Sequence, residues 1–149
     1  MDESEIYEKI YEIMTNQQFG VLSTVDNGIP HTSLVAFTVT NSLRTILLLT
    51  KQESRKFKNI SVNPIVNILV DRRPLSSQKI TDSFAVTAIG SAKPVDLKSA
   101  NATKELFLFC HPSFTEYLDD PSFALISISV SKYEISNGVS EVFPYKISS

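Results

Sequence analysis

No apolar run in this sequence is longer than a β-strand needs, and short turn signals separate the runs. The longest, residues 46–49 and 65–70, fall far short of the ~20 apolar residues that a membrane-spanning helix requires. Such a chain is expected to bury its apolar surface by packing short strands. Ile126, Ile128 and Val130 alternate with Ser127, Ser129 and Ser131, which is the two-residue period of a half-buried strand. Residues 20–25 are rich in β-branched side chains and run into Asp26-Asn27-Gly28, whose Asn-Gly pair suits the positive φ values of a tight hairpin.

The strand that follows, over residues 31–40, alternates Val35, Phe37 and Val39 with Leu34, Ala36 and Thr38, and it breaks at Asn41-Ser42. Residues 45–50 form a third strand, apolar on both faces, as a central strand would be. Residues 65–71 and 84–95 supply two more, with Gly90 marking a bulge or a barrel corner.

Three segments carry helical spacing. Residues 3–15 place Ile6, Ile10, Ile13 and Met14 on one face, with acids in the first turn. Ser54 is the N-cap expected for a short helix through Val62, with Phe57 and Ile60 on one face and Asn63-Pro64 as its stop. Asp96 is expected to open the third, with Leu97, Ala100, Lys104 and Phe107 on one side and His111-Pro112 closing it. Short antiparallel strands joined by tight turns favour a barrel or sandwich, because closure removes exposed edges. Across 149 residues, with 4 Gly and 7 Pro scattered, one domain spanning 1–149 is expected.

Fourteen Lys and Arg stand against 16 Asp and Glu, a net charge of −2 that offers no basic field to a polyanion. No nucleic-acid partner and no membrane partner are expected. A lone Cys110 forms no internal disulfide, and the acidic start lacks the pattern of a signal peptide, so a cytoplasmic location is expected. Two His and one Cys lack any paired ligand spacing, so no metal is expected. On an apolar helix, Cys110 reads as a buried small hydrophobe, and His31 and His111 read as structural residues.

The segment from Thr50 to Lys58 gathers Lys51, Arg55, Lys56 and Lys58 around a helix start. Helix N-termini carry partial positive charge, so cations there oppose the local field. The free N–H groups, the hydroxyls of Thr50 and Ser54, and the Arg and Lys side chains would all be satisfied by an anion, above all a phosphate. A solvated basic edge, partly neutralised by Glu53, is the plainer reading of the same residues.

Residues 20–31, then Ser54-Arg55-Lys56-Phe57-Lys58-Asn59-Ile60, Asn63-Pro64, the aliphatic run to Asp71, and Ala88-Ile89-Gly90-Ser91-Ala92 follow one another in a specific order. In that order the sequence resembles the pyridoxamine 5′-phosphate oxidase-like FMN-binding split β-barrels, over residues 18–95 and more loosely 123–134. The resemblance implies a mainly β split barrel of about six antiparallel strands with about three helices, holding FMN between the subunits of a homodimer. It implies that Arg55 and Lys56 hold the FMN phosphate, with Thr50, Lys51 and Ser54 beside them. Ser33, Leu34 and Val35 are implied to line the isoalloxazine through their backbone. Asp71-Arg72-Arg73 resembles an Asp-x-Arg variant in part of the family, so Asp71 and Arg73 join the candidate site, where a plain surface arginine is the other reading of Arg73. Residues near Phe107 or His111 of a second subunit are candidates to close the site.

The function implied is a flavin-dependent oxidoreductase, with a binding module for flavin, deazaflavin or haem as the alternative. No Arg follows Arg73, and the tail lacks the closing motif of pyridoxamine 5′-phosphate oxidase, so that named activity is not expected. Neither the substrate nor a catalytic side chain can be read from the residues.

Overall fold

The computed structural model describes residues 1–72, 83–137 and 141–148. Its strands are β1 (Phe19–Asp26), β2 (Ile29–Val39), β3 (Thr45–Lys51), β4 (Ile65–Arg72), β5 (Phe84–Pro94), β6 (Phe123–Ser136) and β7 (Val142–Lys146). They lie in the order β3-β2-β1-β4-β5-β6-β7, and β3 also pairs with β6, so the first six close into an antiparallel barrel. Among the described residues, four helices accompany them: α1 (Glu3–Asn16), α2 (Arg55–Val62), α3 (Asn101–Cys110) and α4 (Thr115–Asp119), the last preceded by a 3-10 turn at Pro112–Phe114.

The β1–β2 hairpin turns at Asn27 (φ 49°) and Gly28 (φ 79°), the two positive φ values that its Asn-Gly pair implied. Gly90 sits at the register shift between β5 and β6. A Cβ there would run into the Ser129 carbonyl, so only glycine permits this approach of the two strands.

Two apolar clusters explain the burial pattern. The main one fills the barrel with Leu22, Phe37, Ile46, Leu48, Ile68, Val86, Ile126 and Tyr133, together with the apolar face of α1. Asp2 caps α1 by accepting from the Glu5 N–H at 2.9 Å, and Arg72 of β4 pairs with Glu12 at 2.7 Å. The second cluster packs Leu47 of β3 and Leu125 of β6 against Phe107 and Leu118, on α3 and α4. β3 therefore carries apolar residues on both faces because the barrel interior covers one and this helical layer covers the other.

Three features differ from the sequence expectation. The third helix starts at Asn101 rather than Asp96, because the Asp96 carboxylate accepts from the Lys98 N–H and the Ser99 hydroxyl and holds a turn. The segment after His111-Pro112 continues as a 3-10 turn and α4, where only a stop was expected. A seventh strand, β7, adds to the outer half of β6 with Pro144 opposite Glu134, on an edge that needs no ladder N–H.

Candidate functional site

The site forms where α2 begins beside β2. Ser54 caps α2, its Oγ accepting from the Phe57 N–H at 3.3 Å and donating to the Lys51 carbonyl at 2.7 Å. With that hydrogen used, the 2.9 Å contact between Thr50 and Ser54 is a donation from Thr50 Oγ1. Both hydroxyls are thus engaged in shaping the corner, and Thr50 is buried. The first bond along the helix runs from the Lys58 N–H to the Ser54 carbonyl, which leaves the N–H groups of Arg55 and Lys56 at the open N-terminus. No acidic residue lies in this first turn. Local rules would favour one there, so the site is electrostatically prepared for an external anion.

A cleft of about 270 Å³ lies at this corner, lined by Thr24, His31, Thr32, Ser33, Arg55 and Lys56. The guanidinium of Arg55 donates from Nη1 to His31 Nδ1 at 3.3 Å, so the histidine orients the arginine across the cleft mouth. Lys58 is exposed and lines neither this cleft nor the one beside it.

The second cleft, about 330 Å³, shares Lys56 with the first and runs along Leu34, Val35 and Ala36, with Phe19, Phe114 and Tyr117 on its sides. Its geometry follows from an incomplete ladder. β1 pairs with β2 along its whole length, but β3 pairs with β2 only at Phe37–Val39. The Phe37 N–H donates to the Gln18 carbonyl, so the antiparallel alternation turns the N–H and C=O of Leu34 and Ala36 away from β1, towards the edge that β3 leaves open. A planar ligand in this cleft meets backbone donors and acceptors on one edge and apolar side chains on its face.

Of the residues singled out in the sequence, Ser33, Arg55 and Lys56 line the corner cleft, while Leu34, Val35, Thr50, Lys51, Ser54 and again Lys56 line the adjoining one. Asp71 lies at the end of β4 and lines neither. Arg73 falls outside the described residues. Phe19, Phe114, Tyr117 and Phe123 were missed, because each reads in sequence as an ordinary core or strand aromatic. The exposure of Phe19, 54%, is a tertiary fact with no local signature.

His111 is buried, donates from Nε2 to the Phe37 carbonyl at 2.6 Å, and stacks on Phe114, which makes it part of the wall. Cys110 corrects the expectation of burial. It is exposed, as the last residue of α3, and its sulfur accepts from Thr38 Oγ1 at 2.9 Å. Among the described residues no group of three His, Cys, Asp or Glu could hold a metal ion, and no helix is long and apolar enough to cross a membrane.

The sequence matches the family model described as pyridoxamine 5′-phosphate oxidase over residues 6–136. No curated protein matches it. The structure is similar to General Stress Protein 26 from Bacillus anthracis, with 24% identity and a TM-score of 0.72 over 95% of this chain and 99% of that one. It is also similar to a heme binding protein from Mycobacterium smegmatis (18% identity, TM-score 0.81), covering 93% of this chain but only 57% of that one. A FAD-binding protein from Mesorhizobium loti aligns with 13% identity and a TM-score of 0.70 over 86% and 91% of the two chains. These likenesses establish a common fold.

Proposed function

The chain belongs to the pyridoxamine 5′-phosphate oxidase family, and from the geometry of its site we propose that it binds FMN between the subunits of a homodimer as a flavin-dependent oxidoreductase. The observation that carries this reading is the position of Lys56, which lines both the anion corner and the cleft along Leu34–Ala36. FMN is a phosphate joined through a short chain to a flat ring with one polar edge, and the two adjoining clefts supply the matching chemistry in the matching order. Arg55 and Lys56 meet the phosphate with their side chains and with the open N–H groups of α2. The unpaired edge of β2 meets the polar edge of the ring, and Phe19 and Leu34 cover its face. When bound, the flavin supplies the redox chemistry, while the chain binds it, orients it and limits access of water.

The homodimer is supported by the outer surface of the barrel. Leu34, Val21 and Leu69 lie side by side across β2, β1 and β4, and Leu34 is 69% exposed. A second copy laid on this face would bury it and supply the missing wall of the ring cleft. Oxidation of pyridoxamine 5′-phosphate is not proposed. The C-terminal strand packs Phe143 and Tyr145, and Ile147 just beyond it, on its own barrel, and Arg44 holds the Ser148 carbonyl at 2.6 Å, so this segment is committed to the barrel and lines neither cleft.

The test is a visible spectrum of the purified protein, followed by titration with FMN and with riboflavin. A flavin spectrum and FMN affinity at least about tenfold above that of riboflavin are expected. Equal affinities, or no flavin binding, would refute the phosphate assignment. The alternative is a non-catalytic binding module, favoured by the likeness to the M. smegmatis heme binding protein. An intense Soret band in place of the flavin bands would decide for it.

A further inference from the structure

A cleft of about 500 Å³ opens between the end of α1, β2 and α3. None of the fourteen residues that line it is an Asp, Glu, Lys or Arg. Tyr11 and Phe109 give it aromatic surface, Phe109 standing 86% exposed at its rim, while Met14 and Phe37 form its buried floor. The amides of Asn16, Gln17 and Gln18 add neutral donors and acceptors. On its wall, Cys110 is held by the Thr38 hydroxyl and His111 by the Phe37 carbonyl.

This cleft lies next to the ring cleft along the β1–β2 ladder: Gln18 lines one and its neighbour Phe19 the other, and Phe37 and Ala36 divide in the same way, so the two flank the Phe19↔Ala36 rung without sharing a lining residue. The anion corner lies at the opposite end, beyond Lys56. The order along β2 is therefore anion corner, ring cleft, uncharged cleft. An ion entering the last would lose its hydration and meet no countercharge, whereas a neutral flat molecule would gain apolar contact at little desolvation cost.

We propose that this cleft is the substrate site beside the flavin and that the substrate is an uncharged, planar molecule. The word substrate rests on the flavin reading above; the ligand chemistry rests on the lining alone. It excludes phosphorylated and carboxylated substrates, and it assigns the exposed Phe109 as the aromatic face on which the ligand stacks.

The experiment compares two probes of one shape, 2-naphthamide and 2-naphthoate, by titration calorimetry on the FMN-supplemented protein and on the flavin-free protein. The amide should bind at least about tenfold more tightly than the carboxylate. Phe109→Ala should weaken the amide by about tenfold. Asn16→Lys should raise carboxylate affinity by about tenfold and narrow the preference. Both positions are exposed, so the variants keep the fold, and a lysine at the C-terminus of α1 suits the helix dipole. The inference is overturned if the carboxylate binds as well as the amide, if the amide does not bind, if Phe109→Ala changes nothing, or if the amide competes with riboflavin. Amide binding without any flavin binding would uphold the cleft and refute the flavin reading. FMN binding without preference for the amide would do the reverse.

Discussion

The two ends of β2 differ as sharply as any two regions of the molecule. At His31–Ser33 the strand faces cations, an open helix N-terminus and solvent. At Phe37–Val39 it disappears under α1 and α3, among aromatics and amides, with no charged side chain on the adjoining cleft. Both ends sit on one continuous strand, so the difference arises from what packs against it. The lesson is that a single extended backbone can present an ionic pole and an uncharged pole, with an unpaired ladder edge between them.

The largest expected effect separates the poles. Replacing Arg55 and Lys56 together by Ala should cost about 3–6 kcal/mol of FMN binding, two charge-assisted contacts of about 1.5–3 kcal/mol each. Riboflavin affinity should stay unchanged. An equal loss for riboflavin in the same titration would mean that the ring cleft itself had been damaged and that the poles are not independent.

At the other pole, Phe107 is fully buried between the barrel and the helical layer. Phe107→Ala should lower stability by about 3–5 kcal/mol in denaturant unfolding. It should also loosen α3 and weaken binding at the uncharged cleft. A loss below about 1 kcal/mol would show that α3 adheres to the barrel by other means.

A smaller effect is expected at His111, whose Nε2 serves the Phe37 carbonyl. His111→Leu removes that donor and should cost about 1–3 kcal/mol in thermal unfolding, chiefly from the unpaired carbonyl. The FMN-to-riboflavin affinity ratio should not move. If it did, the histidine would belong to the ligand site rather than to the wall.

The cap offers the finest separation. Ser54→Ala should cost about 1 kcal/mol of stability. Ser54→Asp should keep most of the cap, yet weaken FMN by placing a negative charge beside the phosphate. Improved FMN binding in that variant would argue against an anion at the corner.

The smallest effect concerns pH. The Ser122 N–H, and after it the Ser122 hydroxyl, hold the Asp120 carboxyl below its ordinary pKa, with Lys51 adding a lesser attraction. A lowered folded pKa contributes stability above the unfolded value, and that contribution is lost as pH falls through the folded one. Wild type should therefore lose slightly more stability on acidification than Asp120→Asn, measured by thermal unfolding between pH 7 and pH 2. The opposite order would place the turn's stability elsewhere.

Much of the barrel was legible because its signals are local. The Asn27-Gly28 turn, the Ser54 cap, the Asn63-Pro64 stop and the Gly90 irregularity each depend on backbone preferences of the residues themselves. Elements whose signals compete were less legible. Asp96 carries the mark of a helix cap, but its carboxylate holds a separate turn before α3. Pro144 hides β7, since a proline argues against a strand until an edge position removes the need for its N–H. Cys110 reads as buried from its apolar helix neighbours, but it is the last residue of α3 and stays exposed while Phe107, three residues earlier, is buried.

The sequence by itself determined the alternation of short strands, the Ser54 start and Asn63-Pro64 stop of α2, and the clustering of Arg55 and Lys56 at a helix start that has no acid of its own. Those features depend on spacing and on the preferences of neighbouring residues, which a linear chain carries in full. Only the tertiary structure decided that β3 leaves β2 at Ala36, that Phe19 and Leu34 remain exposed, and that fourteen uncharged residues converge on one cleft. These are outcomes of closure. The pairing of β3 with β6, about eighty residues apart in the chain, fixes how much of β2 is covered, and a contact between distant segments leaves no periodic trace in either.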